Sequence, residues 1–75
     1  MLNITMIKKW FKLKRHDIAP VQFIIEGYEG MATVTTMDSH AAIIQISIMP
    51  DFVQEITGLM ESLKNKYQLE EIKSL

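Results

Sequence analysis

An α+β domain with the chain order β-α-β-β-α-β is what this sequence predicts, and three observations carry the expectation. Behind Pro50 and Asp51, the residues Phe52, Val53, Ile56, Leu59, Met60, Leu63 and Tyr67 recur at helical spacing. The stretch AAIIQISIMP alternates Ile44, Ile46 and Ile48 with Gln45 and Ser47 and stops at Pro50, as a strand with one buried face does. Upstream, DIAPVQFIIEGYEG puts Val21, Ile24, Ile25 and Tyr28 at i, i+3, i+4 and i+7, a full apolar stripe of a helix.

The first element, IKKWFKLKR, admits two readings. As a helix it gathers Met6, Ile7, Trp10, Phe11 and Leu13 opposite the lysines. As a strand it points Ile7, Phe11 and Leu13 inward, with Lys9 as a misfit, and Lys8, Trp10, Lys12 and Lys14 outward. The strand is preferred, because a hairpin downstream needs a central partner and two helices need a sheet wide enough to cover. The first helix then starts at Asp17 as N-cap, with Ile18, Ala19 and Pro20 in a first turn where proline is tolerated. Gly30 ends it as the left-handed residue after the last turn. MATVTTMD is short and β-branched, and MDSHA supplies the turn formers of a hairpin to the isoleucine strand. Asp51 caps the second helix, which carries Lys64 and Lys66 where cations suit the helix dipole. LEEIKSL is a short last strand. Right-handed crossovers give a four-stranded antiparallel sheet of order 4-1-3-2 with both helices on one face, a ferredoxin-like sandwich spanning residues 1–75 as a single domain.

Composition narrows the function classes. The chain has 75 residues, 48 % of them hydrophobic, with two prolines and three glycines, so it reads as a packed globule rather than a disordered segment. A chain this short buries only roughly 60 to 65 % of its unfolded surface. Without cysteine, disulfides and thiolate metal sites are excluded. The core must suffice unless oligomerisation adds burial, which favours a homodimer. No apolar run approaches the roughly 18 residues of a membrane span, and the N-terminus lacks a secretory pattern, so a cytoplasmic location is expected. The net charge of −1 hides an asymmetry: residues 1–15 carry five cations and no acid, while the other 60 hold three lysines against nine acids.

Several constellations could carry chemistry. Glu26 and Glu29 stand three apart at the expected end of the first helix, where acids oppose the dipole. A solvated helix end, paired with a lysine of the first strand, is the reading preferred over general acid/base work, because nothing in the sequence builds a cleft around them. Tyr28 completes the stripe and is expected in the core with its hydroxyl at the surface. Gly30 is conformational. In this topology Arg15, His16, Asp17, Asp38, His40, Lys64 and Lys66 gather at one edge. Without HxH or HxxxH spacing a metal is not expected there. Arg15, His16, Lys64 and Lys66 form a candidate site for a small anion at the start of the first helix. Lys8, Trp10, Lys12 and Lys14 on the open sheet face are the candidate interface. Interleaved cations and an aromatic resemble the RNA platform of RRM domains, but Gln45 and Ser47 offer no stacking ring. A second subunit over Trp10 is preferred.

The segment DIAPVQFIIEGYEGMATVTTMD, the isoleucine strand and PDFVQEITGLMESLK resemble a family of short bacterial proteins catalogued as domain of unknown function 4911. The likeness runs from Met6 to Ile72, and its most specific piece is E-x-YEG, formed by Glu26, Tyr28, Glu29 and Gly30. It implies a small prokaryotic domain and no particular activity. The topology is also similar to ACT regulatory domains, which bind amino acids, but their glycine signal is missing from the loop Arg15–Pro20. Acylphosphatases share the topology too, and their glycine-rich signature is likewise absent. The expectation is a non-enzymatic, homodimeric module that responds to a small ligand or binds a protein, without a cofactor. A single-stranded RNA-binding module is the alternative.

Overall fold

The computed structural model describes residues 5–73. Its elements are β1 (Ile7–Lys12), α1 (Ile18–Glu26), β2 (Ala32–Asp38), β3 (Ile43–Ile48), α2 (Val53–Tyr67) and β4 (Glu70–Ile72). Short 3-10 turns, Arg15–Asp17 and Pro50–Phe52, lead into the two helices. The antiparallel sheet runs β2-β3-β1-β4, the expected order read from the other edge. Ser74 and Leu75, the end of the expected last strand, lie outside the described residues.

Register decides which side chains meet the helices. Phe11 pairs with Ile44 on one side and Glu71 on the other, and Ala32 pairs with Ile48, so these positions share the helix face. Val21 and Ile25 of α1, and Ile56, Met60 and Leu63 of α2, join Phe11, Leu13, Ile44, Ile46 and Ile48 in one buried cluster. Period-2 alternation in β3 and 3.6-period spacing in α2 thus converge on a single core. Ile7 faces the same side, but at the strand's outer end it stays 36 % exposed.

Three local expectations are corrected. First, α1 stops at Glu26 rather than near Gly30. The Gly27 N–H is shared between the Phe23 and Ile24 carbonyls, both at 3.2 Å, and glycine is a poor helix continuer. The chain then turns again, Met31 N–H donating to the Tyr28 carbonyl at 2.9 Å. Second, Tyr28 and Glu29 therefore leave the helical stripe: Tyr28 is 40 % exposed instead of buried, and Glu29 does not share a helix face with Glu26. Gly30 does adopt φ +83°, but inside this turn, where it swings the chain into β2. Third, neither Asp17 nor Asp51 caps a helix with its side chain. Asp17 has helical backbone angles, with φ −91° and ψ −8°, because the preceding 3-10 turn already feeds α1; Asp51 lies within the turn before α2.

Two non-glycine residues sit in the left-handed region, Ala42 (φ 57°) and Gln68 (φ 55°). Gln68 closes α2, its N–H reaching the Lys64 carbonyl at 3.0 Å. Ala42 accepts the Leu13 N–H on its carbonyl at 3.1 Å, which ties the end of the first strand to the hairpin loop.

Candidate functional site

The face of the sheet away from the helices is built from alternate residues of all four strands. Lys8 stands opposite Ser47, Trp10 opposite Gln45 and Ile72, and Lys12 opposite Ile43 and Glu70. Thr33 and Thr35 continue the face on β2. Trp10, on a central strand, is half-buried among these neighbours. Its indole N–H donates to the Gln45 Oε1 at 3.0 Å, and the Gln45 Nε2 reaches the Ser47 Oγ at 3.5 Å. Two side-chain hydrogen bonds thus set the orientation of the amide and hold the ring in one place.

Charge on this face is mixed. Lys8 and Lys12 flank Trp10 along β1, but Glu70 lies directly opposite Lys12. Lys14 falls outside the strand, since β1 ends at Lys12. Its carbonyl instead accepts the Asp17 N–H at 2.9 Å.

The helix face explains the misfit of Lys9. Its Nζ lies 3.7 Å from the Glu71 Oε2, while the other oxygen of that carboxylate is 3.6 Å from the Lys64 Nζ. Lys64 also reaches the Glu61 Oε1 at 3.6 Å and lies 5.9 Å from the centre of the Phe11 ring. Lys9 is therefore a rim residue: its stem runs along apolar surface and its ammonium joins a four-membered chain of charges. Between these groups, Phe11, Ile48, Thr57 and Met60 line a cleft of about 30 Å³, room for little more than a water molecule. Helical spacing pairs Glu61 with Lys64, but the network was not legible because Lys9, Glu71 and Lys64 meet only once the strands and α2 are packed.

The residues expected at the loop edge each have their own contacts. Lys64 is engaged by two carboxylates and Lys66 lies over the Tyr67 ring at 5.4 Å. The cationic groups offered at the first loop are Arg15 and His16, both exposed, with the His16 Nε2 3.5 Å from the Asp17 Oδ1. Glu26 accepts a hydrogen bond from the Gln22 side chain at 3.2 Å. The lysine contact expected for Glu26 or Glu29 is made by Glu71 instead. Asp38 holds its own loop, its Oδ1 accepting the His40 and Ala41 N–H groups, each at 2.9 Å. Among the described residues, no group of three or more His, Cys, Asp or Glu side chains comes together as a metal site, and no helix is long and apolar enough to cross a membrane.

Sequence reasoning missed one exposed aromatic. Phe23 is 80 % exposed on α1, opposite the buried Val21 and Ile25. The signal was its position in VQFIIE, off the stripe.

Comparison with known proteins gives one match. Residues 11–66 fit the family described as "Domain of unknown function (DUF4911)", and the chain belongs to that family. No curated protein and no solved structure matches it.

Proposed function

We propose that this member of the family is a non-enzymatic, homodimeric module of the bacterial cytoplasm that binds a protein partner through the open face of its sheet. The observation that carries the reading is Trp10: a large aromatic at the centre of the uncovered layer, held by Gln45 and flanked by Lys8 and Lys12. An aromatic fixed before binding loses little freedom on docking, which is how interface anchors gain their effect. Catalysis is disfavoured by the carboxylates: Glu61 and Glu71 at the cleft are each paired with lysine. The E-x-YEG residues favour a structural role, since Gly30 turns the chain while Glu26 and Glu29 diverge.

RNA binding is the second reading, resting on the two lysines beside the ring. Glu70 across from Lys12, and the ringless Gln45 and Ser47, count against it. A small anion at Arg15 and His16 is a subordinate arm that would make the module ligand-responsive.

A photo-reactive residue placed at Lys12 in the full chain, and at Glu55 on the exposed side of α2 as control, tests the face in its native cytoplasm. The reading expects a discrete protein adduct from Lys12, lost on Trp10→Ala and absent from Glu55. Adducts to RNA would move the function to the second reading, and no adduct at all would overturn both.

A further inference from the structure

We propose that the second copy of the homodimer pairs with the free edge of β2, extending two four-stranded sheets into one of eight strands. The inference deepens the homodimeric reading above but moves the second subunit from the Trp10 face, where the sequence placed it, to the sheet edge, leaving that face to the protein partner. Among the described residues, β2 has one neighbour, β3. The hydrogen bond from the Met49 N–H to the Met31 carbonyl sets the phase of the β2–β3 ladder. By alternation, Ala32, Val34 and Thr36 turn their N–H and C=O groups away from β3, towards the open edge. Natural edges are normally guarded by charge, proline, shortness or a bulge. The other edge of this sheet follows that rule, since β4 is three residues long and carries Glu70 and Glu71. In β2, the stretch Ala32–Thr36 has no charge and no proline, and the register shift between Thr36 and Asp38 protects only its far end.

The same five residues are self-complementary. An antiparallel pairing centred on Val34 sets Val34 against Val34 of the second copy, Ala32 against Thr36, and Thr33 against Thr35. The outward amides of Ala32, Val34 and Thr36 then fall at the hydrogen-bonded positions of the new ladder. Every facing pair joins β-branched or small side chains, and no like charges meet. The next pair outward brings Met37, 46 % exposed, beside Met31 of the second copy. The two-fold axis of such a pairing is perpendicular to the sheet, so both Trp10 faces lie on the same side. The partner surface is thereby doubled.

Thr33 and Thr35 are exposed, so changing them leaves the core intact, and circular dichroism checks the fold. Sedimentation of the full chain at micromolar concentration should show a dimer. In T33K/T35K, two lysine pairs face each other across the axis, and dimerisation should weaken by roughly tenfold. T33K/T35E instead sets a lysine of each copy opposite a glutamate of the other and should restore it. Trp10→Ala should leave the dimer intact while abolishing the Lys12 adduct, which separates this interface from the partner face. A monomeric wild type, a T33K/T35K dimer of undiminished strength, or a dimer dissolved by Trp10→Ala would each overturn the proposal.

Discussion

The two faces of the sheet are cut from the same strands yet do different work. On the helix side, Phe11, Ile44, Ile46 and Ile48 are at most 1 % exposed. On the other, Trp10, Gln45 and Ser47 are only half-buried, and hydrogen bonds rather than close packing fix them. Each residue step along β3 crosses from one regime to the other. Stability therefore concentrates on one face, and under the proposed reading the opposite face carries the partner anchor.

The largest expected contrast sets neighbours in β3 against each other. Ile46→Ala should cost about 2 to 5 kcal/mol, through lost burial and the cavity left behind. For a domain this small that is much of the whole stability. Gln45→Ala, one residue along, should cost no more than about 1 kcal/mol, the worth of a partly exposed hydrogen bond. Urea denaturation of both variants checks the difference; equal losses would break the division between the faces.

A change outside both faces calibrates the scale. Gln68→Gly should stabilise the fold by about 0.5 to 1 kcal/mol, because the left-handed conformation at the end of α2 suits glycine. Thermal unfolding should show a higher midpoint, and an unchanged or lower one would mean the Gln68 side chain contributes more than its backbone strain costs.

The smallest contrast lies in β4. Glu71 on the helix side bridges Lys9 and Lys64, whereas Glu70 faces Lys12 on the open side. All of the bridging groups are about a third exposed, so screening limits each pair to about 0.2 to 1 kcal/mol. Glu71→Gln should lower stability by about 0.5 to 1 kcal/mol at low salt, and Glu70→Gln by less. The gap should shrink in about 1 M salt, where the screening length falls to about 3 Å. Denaturation at two ionic strengths reads both effects.

Legibility followed the physics of each element. The alternation of Ile44, Ile46 and Ile48 and the spacing of Ile56, Met60 and Leu63 admitted one burial pattern each, and both faces came out as expected. The end of α1 did not, because Tyr28 fits a stripe at i+7 while Gly27 and the shared amide bond stop the helix before it. The left-handed turns at Ala42 and Gln68 left no glycine to announce them. For the site, outward placement of Trp10 was readable from period two. Its bond to Gln45 and the Lys9–Glu71–Lys64 chain were not, since Trp10 and Gln45, 35 residues apart along the chain, and Lys9 and Glu71, farther still, meet only once register is set. The edge position of β2 was readable from the strand order, but which of its amides face outward depends on the ladder phase, which no local pattern encodes.

The most direct measurement of the central claim is a native mass spectrum of the untagged full chain at micromolar concentration. The account predicts a species of twice the 8.7 kDa chain mass, with Trp10→Ala dimeric and T33K/T35K shifted to monomer. A wild-type spectrum of bare monomer would contradict it.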